Sequence, residues 1–196
     1  MAQGRPDTSW HFVGQASAFP NVTSDKASAL NELYPCGSAR GPELDSSATG
    51  CKVFFVSDEK DSDATTVDLN DPIKALELKN QVLIFQYNGK FHAIDHKCPH
   101  SSFPLSQGIP FDIEDFGVVL SAGIQCPKHG WSFDLFTGMA DRNAYKLTIW
   151  ELQLRPATVN LEQGENGQDQ EIWNNTLRRA ANAWNVLTLH YAPTLG

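Results

Sequence analysis

The spacing of apolar and polar residues along the chain marks a series of short strands. The strongest signal runs from Lys79 to Ile94. There the apolar stretch Val82–Leu83–Ile84–Phe85 leads into Tyr87–Asn88–Gly89–Lys90–Phe91 and then His92–Ala93–Ile94. Asn88–Gly89 is a favoured tight-hairpin dipeptide because both positions tolerate positive φ, so strands are predicted at about 82–87 and 90–94. Residues 9–22 read as a short strand followed by a turn through Phe19–Pro20, and Cys51–Val56 as a buried strand. Residues 117–126 lead as a strand into Cys126, and 131–138 form a hairpin. In 145–154, Leu147, Ile149, Leu152 and Leu154 alternate imperfectly, as in a strand with a bulge. Residues 157–174 form a hairpin around Gly164–Gly167. Only the tail has helical spacing. Leu177, Ala181 and Trp184 fall at i, i+4 and i+7, with Ala180 and Leu187 extending the stripe, so a helix over about 175–190 is expected to pack on the body. Many short strands with turn signals and one late helix predict an all-β sandwich or barrel with a C-terminal helix.

Composition narrows this picture. The 196 residues are 41% hydrophobic and 19% charged, enough to bury a core in one domain with long loops at about 24–50 and 57–72. The net charge of −8 disfavours nucleic acid and anionic membrane surfaces and favours a partner with a basic docking patch. No apolar run reaches membrane-spanning length and the N-terminus lacks an apolar signal core, so a cytoplasmic location is expected. In that compartment Cys36, Cys51, Cys98 and Cys126 do not form a disulfide framework.

Two of those cysteines stand beside histidines. Cys98–Pro99–His100 and Cys126–Pro127–Lys128–His129–Gly130 are two half-sites about 25 residues apart, each with one Cys and one His. A soft thiolate and an imidazole from each make an S2N2 set, which suits zinc or an iron–sulfur centre. Structural zinc usually takes two like ligands from each knuckle, whereas here each contributes one of each kind. A Cys–His nucleophilic pair is a third possibility, but it gives two matching pairs and two prolines no role.

The order Cys-x-His, spacer, Cys-x-x-His-Gly, with proline after each cysteine and Trp131 after Gly130, resembles the Rieske family over about Trp10–Trp173, roughly four-fifths of the chain. The resemblance implies one [2Fe–2S] cluster per chain, with Cys98 and Cys126 on a buried iron and His100 and His129 on an outer iron, their free ring edges toward solvent. It also implies a single Rieske domain over 1–196. That domain would be an antiparallel β-sandwich base with an inserted cluster-binding lobe at about 96–137 and a helical extension at about 175–190. The prolines stiffen the loops, and Gly130 lets the backbone approach the sulfides. His92 reads as a packing residue in a strand and His96 as a loop residue.

The chain departs from the family pattern in three places. The spacer between half-sites is longer, with the excess in 109–123 and Asp112, Glu114 and Asp115 expected at its tip. The extra cysteines of high-potential Rieske proteins are replaced by Phe103 and Lys128, and the Ser and Tyr whose hydroxyls bond the sulfurs by Trp131 and Phe133. Without those donors the potential is expected toward the low end of the family range of roughly −150 to +300 mV. In the third loop Asn143 stands where Pro is usual, and Tyr145 is a candidate to fill the space.

A Rieske oxygenase also needs a mononuclear iron held by two His and a carboxylate. Of His11, His92, His96, His100, His129 and His190, the cluster takes two, no other pair is suitably spaced near a carboxylate, and only about 60 residues follow the second half-site. The expectation is therefore a soluble ferredoxin-like electron carrier between a reductase and an oxygenase-type acceptor. The alternatives are a biosynthetic tailoring enzyme on the same scaffold and a redox-sensing module.

Overall fold

The computed structural model describes residues 10–23, 30, 50–56, 65–69, 71, 77–142, 144–156 and 169–179. Eleven strands run through them: β1 (Trp10–Gln15), β2 (Asn21–Val22), β3 (Cys51–Phe55), β4 (Thr65–Val67), β5 (Gln81–Tyr87), β6 (Lys90–Asp95), β7 (Ile109–Asp115), β8 (Val118–Gln125), β9 (Ser132–Asp134), β10 (Trp150–Pro156) and β11 (Gln170–Arg179). They form three sheets. β5 is central to the first, with β6 on one edge and β3, then β2, along the other; β4 extends β3. The second has the order β1–β11–β10 and the third β7–β8–β9. Every ladder among the described residues is antiparallel except β2 with β5.

The apolar run at 82–85 is continuous because β5 is buried on both faces. Side chains alternate across a strand, so its residues separate into two sets. Leu83, Phe85 and Tyr87 join Cys51, Val53 and Ile94 in one core, toward the half-sites. Val82 and Ile84 join Phe54, Phe91, Ala93, Leu152 and Ile172 in the other. That second core lies between the first two sheets and makes them a sandwich. Burying each such side chain is worth roughly 1.5–3 kcal/mol, so the two faces of β5 contribute comparably to holding both layers. Trp150 Nε1 donates to Asp95 at 2.8 Å and ties β10 to the end of β6.

The hairpin turn is as expected: Asn88 and Gly89 have φ of 46° and 76°. Between β6 and β10 the chain leaves the sandwich and builds the third sheet, whose strands lie within 109–134. Within 106–125, residues 109–125 form a β-hairpin, with its turn at Phe116–Gly117 (φ 48° and 78°). Asp112 is therefore not at the tip. It lies within β7 and accepts hydrogen bonds from Tyr87 Oη at 3.0 Å and Asn88 Nδ2 at 2.8 Å, docking one hairpin on the turn of the other.

One loop expectation is corrected. Within 57–72, Thr65–Val67 pair with Val53–Phe55. Most of 24–50 lies outside the described residues, but Leu30 is fully buried, with its N–H donating to Gly108 and its carbonyl accepting from Gly50. The tail is also corrected. Residues 175–179 continue β11 instead of starting a helix: Asn175 pairs with Trp10 of β1 and Glu151 of β10, and Arg179 pairs with Trp150 at the start of β10. Residues 180–190 lie outside the described residues. No helix among the described residues is long and apolar enough to cross a membrane.

His92 packs between Phe85 and Phe136, with ring centroids at 5.5 and 5.3 Å. Its Nε2 is buried without a hydrogen-bond partner among the described residues. Burial, helped by Lys90 and opposed by Asp134, brings its pKa down from 6.5 to about 4. Above pH 6.5 the ring is neutral whether the chain is folded or unfolded. Between 6.5 and about 4 only the unfolded chain takes the proton, so stability falls as the pH falls through this window. The full loss is on the order of 3 kcal/mol. Urea denaturation at pH 7 and pH 4.5 should show the wild type losing a few kcal/mol more than His92→Leu; equal losses would place the titration elsewhere.

Candidate metal centre

The two half-sites fold into loops with the same backbone. In the first, Cys98 N–H donates to the Phe103 carbonyl at 2.9 Å and Ser102 N–H to the Cys98 carbonyl at 2.9 Å. In the second, Cys126 N–H donates to the Trp131 carbonyl at 2.8 Å and Gly130 N–H to the Cys126 carbonyl at 2.9 Å. Each loop thus runs from Cys through Pro to a left-handed residue four positions on, Ser102 (φ 52°) or Gly130 (φ 69°). Proline pre-sets φ at the first turn position and has no N–H to satisfy there. Ser102 shows that a side chain is tolerated at the left-handed position, and a Cβ on Gly130 would meet nothing within 4 Å. Gly130 therefore answers to the backbone angle, not to a close approach by protein atoms.

The base sheet holds the first loop through His96, which is fully buried. Its Nδ1 meets Gln81 Oε1 at 2.7 Å and its Nε2 meets Ser106 Oγ at 2.9 Å. Its N–H donates to the Gln81 carbonyl, and its carbonyl accepts from Leu105. One side chain thus joins β5 to both ends of the loop. The sequence marked His96 only as a loop residue; its partners are 15 and 10 positions away.

The second loop is closed by Asp134, whose Oδ1 accepts from Phe136 N–H at 2.9 Å and Thr137 N–H at 2.6 Å while Oδ2 accepts from Ser121. Partial burial pushes the carboxyl upward, but these donors outweigh it and hold the pKa below its usual value. The chain then turns at Gly138 (φ +72°), where Leu147 N–H donates to the Gly138 carbonyl at 2.8 Å. This contact brings the third loop over the half-sites.

The four sequence-predicted residues come together in pairs. Cys98 and Cys126 are 0% and 1% exposed in the core below the loops. Burial pushes the Cys126 thiol up, Ser101 and the Lys128 N–H pull it down by hydrogen bonding to its sulfur, and neighbouring Cys98 pushes it up again. His100 and His129 lie above, with ring centroids 5.1 Å apart. His129 is exposed, as expected. His100 is half-buried: its ring stacks on Trp131 at 4.7 Å, and Tyr145 abuts both rings at 5.2 and 5.1 Å. Tyr145 therefore occupies the third-loop position suggested for it; Asn143 lies outside the described residues.

His100 Nδ1 is buried with no hydrogen-bond partner among the described residues. A buried ring nitrogen left bare in this way costs roughly 1–3 kcal/mol unless something binds it. Among the described residues, no three His, Cys, Asp or Glu groups close on a single point that could hold one metal ion. Two buried thiols and two imidazoles, split two and two with an orphaned nitrogen, suit a binuclear group. Cys51 lies elsewhere in the core, in β3, and burial pushes its pKa up to about 12, so it stays a neutral thiol. Cys36 is outside the described residues.

Residues 55–149 match the family model of the Rieske [2Fe–2S] domain. This segment is a Rieske domain. It begins at the end of β3 and stops at the residue before β10, so the sheet β1–β11–β10 lies outside the match. The chain is also similar to several known proteins. Apoptosis-inducing factor 3 of Homo sapiens is 41% identical over 71 residues, which is 35% of this chain and 10% of that protein. A Rieske domain-containing protein of Homo sapiens is 36% identical over 102 residues, 52% of this chain and 56% of its own. The 3-phenylpropionate/cinnamic acid dioxygenase ferredoxin subunit of Escherichia coli is 33% identical over 85 residues, 43% of this chain and 64% of that one. Each match spans less than two thirds of the relative's own length. The cofactor of a Rieske domain is a [2Fe–2S] cluster, and the buried thiol pair and bare His100 Nδ1 fit it.

The site depends on the contact at Gly138. A Cβ there would lie 2.1 Å from the Leu147 carbonyl oxygen. Gly138→Ala therefore combines left-handed strain with a backbone clash, and is expected to cost more than about 4 kcal/mol. Gly117→Ala is the control: φ is +78° but the space is open, and left-handed strain alone costs about 1–2 kcal/mol. Urea midpoints for both variants check this, and equal losses would mean that the third loop gives way.

Proposed function

We propose that this Rieske domain is a one-electron carrier, with Cys98 and Cys126 holding one iron of its cluster and His100 and His129 the other. The observation that carries the reading is the layering of the site, with buried thiols below and imidazoles above, one of them exposed. When bound, the cluster supplies a one-electron couple, made easier to reduce than an all-Cys cluster by having two thiolates instead of four. The chain's own groups do the rest. Core packing around Cys98 and Cys126 excludes water from the sulfurs. Trp131 and Tyr145 fix the ring of His100, so little rearrangement accompanies a change of charge. The exposed edge of His129 gives an acceptor a place to dock within reach of the centre.

The resemblance to a dioxygenase ferredoxin subunit supports a reductase as donor and an oxygenase-type protein as acceptor. The charge of −8 favours partners that present a basic patch. The tailoring-enzyme reading has less support. A cavity of about 630 Å³ lies between the β5–β6 hairpin, β8 and β10, but none of Cys98, His100, Cys126 and His129 lines it. A substrate bound there would not touch the outer ligands.

Purified protein should be reddish-brown with about two iron and two labile sulfide per chain, and should exchange one electron per chain in a redox titration. Cys98→Ser and Cys126→Ser should lose the colour, whereas Cys36→Ser and Cys51→Ser should retain it. A colourless wild type holding one zinc would end this reading. If Cys36 or Cys51 proved essential for assembly, the ligands would have to be reassigned.

A further inference from the structure

The repeated loop geometry makes the two half-sites comparable position by position. Cys98 corresponds to Cys126, Pro99 to Pro127 and left-handed Ser102 to left-handed Gly130. The two residues between are then exchanged in kind. His100 corresponds to Lys128, and Ser101 to His129. Each loop therefore carries one imidazole and one further side chain at these middle positions. Lys128 is exposed, with its ammonium 5.8 Å from the centre of the Phe103 ring in the first loop. Ser101 is half-buried and turns inward, across to the opposite loop, where its Oγ lies 3.5 Å from Cys126 Sγ.

Between a thiol and a hydroxyl either atom can donate this bond. A sulfur that ligates metal has given up its proton and can only accept, which leaves the hydroxyl of Ser101 as the donor. We infer that Ser101 tunes the reduction potential of the centre, its hydroxyl donating to Sγ of Cys126 from the first loop, where Trp131 and Phe133 of the second loop have no hydroxyl to offer. Reduction adds negative charge that is shared with the thiolate sulfur. A hydrogen bond to that sulfur strengthens as the charge grows, so it stabilises the reduced state more than the oxidised one. The inference rests on Cys126 being a ligand. It departs from the low potential expected from Trp131 and Phe133 alone, because one of the two absent donors is replaced from the first loop. Ser101 is a positioning residue, acting through Cys126.

The test compares full-length wild type, Ser101→Ala and Ser101→Thr, each assayed first for iron, labile sulfide and visible spectrum. A wild type without a cluster would overturn the ligand reading, and this inference with it. If the cluster is present, voltammetry decides. Ser101→Ala should be reduced roughly tenfold less at a fixed ambient potential, a fall of about 59 mV for a one-electron couple. Ser101→Thr, which keeps a hydroxyl, should retain the wild-type midpoint. If Ser101→Ala does not hold the cluster, Ser101→Gly removes the same hydroxyl and is read in its place. A wild-type midpoint in the variant lacking the hydroxyl would overturn the inference while leaving the ligands intact. An equal fall in Ser101→Thr would also overturn it, because the side chain's shape and not its hydroxyl would then matter. Loss of the cluster from all three variants would count against it too, since the position would serve assembly instead of potential.

Discussion

Two cysteine sulfurs must be buried side by side while the imidazoles two and three residues further on stay near the surface. The rest of this structure is arranged around that constraint. A chain can meet it only by reversing direction immediately after each cysteine, and both loops do so in the same way. The N–H of the cysteine reaches five residues forward, its carbonyl accepts from four residues forward, and a left-handed residue closes the turn. Backbone groups that would otherwise be stranded near the core are thereby satisfied within the loop. The histidine offsets differ by one residue, which is why the two loops share a backbone and yet present different side chains to the centre.

Such loops are too short to be stable alone, and the sandwich holds them in place. β5 performs two tasks because it is buried on both faces. One face joins the two layers of the base, and the other supplies the floor beneath Cys98 and Cys126. His96 carries that rigidity into the first loop by bonding to Gln81 at the start of β5 and to Ser106 beyond the loop. Gly138 does the corresponding work for the third loop by letting Leu147 approach backbone to backbone. These are tertiary supports acting on short turns, and they hold His100 between Trp131 and Tyr145.

The same arrangement orders the electrostatics. Burial alone opposes charge on sulfur, as the raised Cys126 thiol shows, so thiolates are tolerated at this depth only when donors or metal compensate them. Hydrogen-bond donors reach the Cys126 sulfur from Lys128 in its own loop and Ser101 in the facing one. Asp134 in the lobe is met locally, ringed by Ser121, Phe136 and Thr137.

By itself the sequence determined whatever depends on neighbours along the chain. The Asn88–Gly89 turn, the strands on either side of it, the Cys–Pro turns and the pairing of one Cys with one His in each half-site are all short-range, so their residue types announced them. The all-β class followed from the same local signals. Tertiary structure decided whatever depends on which segments meet. The stripe that includes Leu177 read as helix, yet 175–179 extend β11, because β1 and β10 pair with Asn175 and β10 with Arg179, partners that no local propensity encodes. Asp112 read as part of an acidic tip, but it lies inside β7 and holds the β5–β6 turn. His96 became an anchor only once Gln81 and Ser106 were brought to its two ring nitrogens. Ser101 carries no motif of its own; its contact with Cys126 spans 25 positions and exists only because two loops of the same shape face each other across a buried pair of sulfurs. Local patterns specify turns and strands through steric and hydrogen-bond rules that act within a few residues. Contacts between distant segments arise from packing, and packing is settled by the whole core at once.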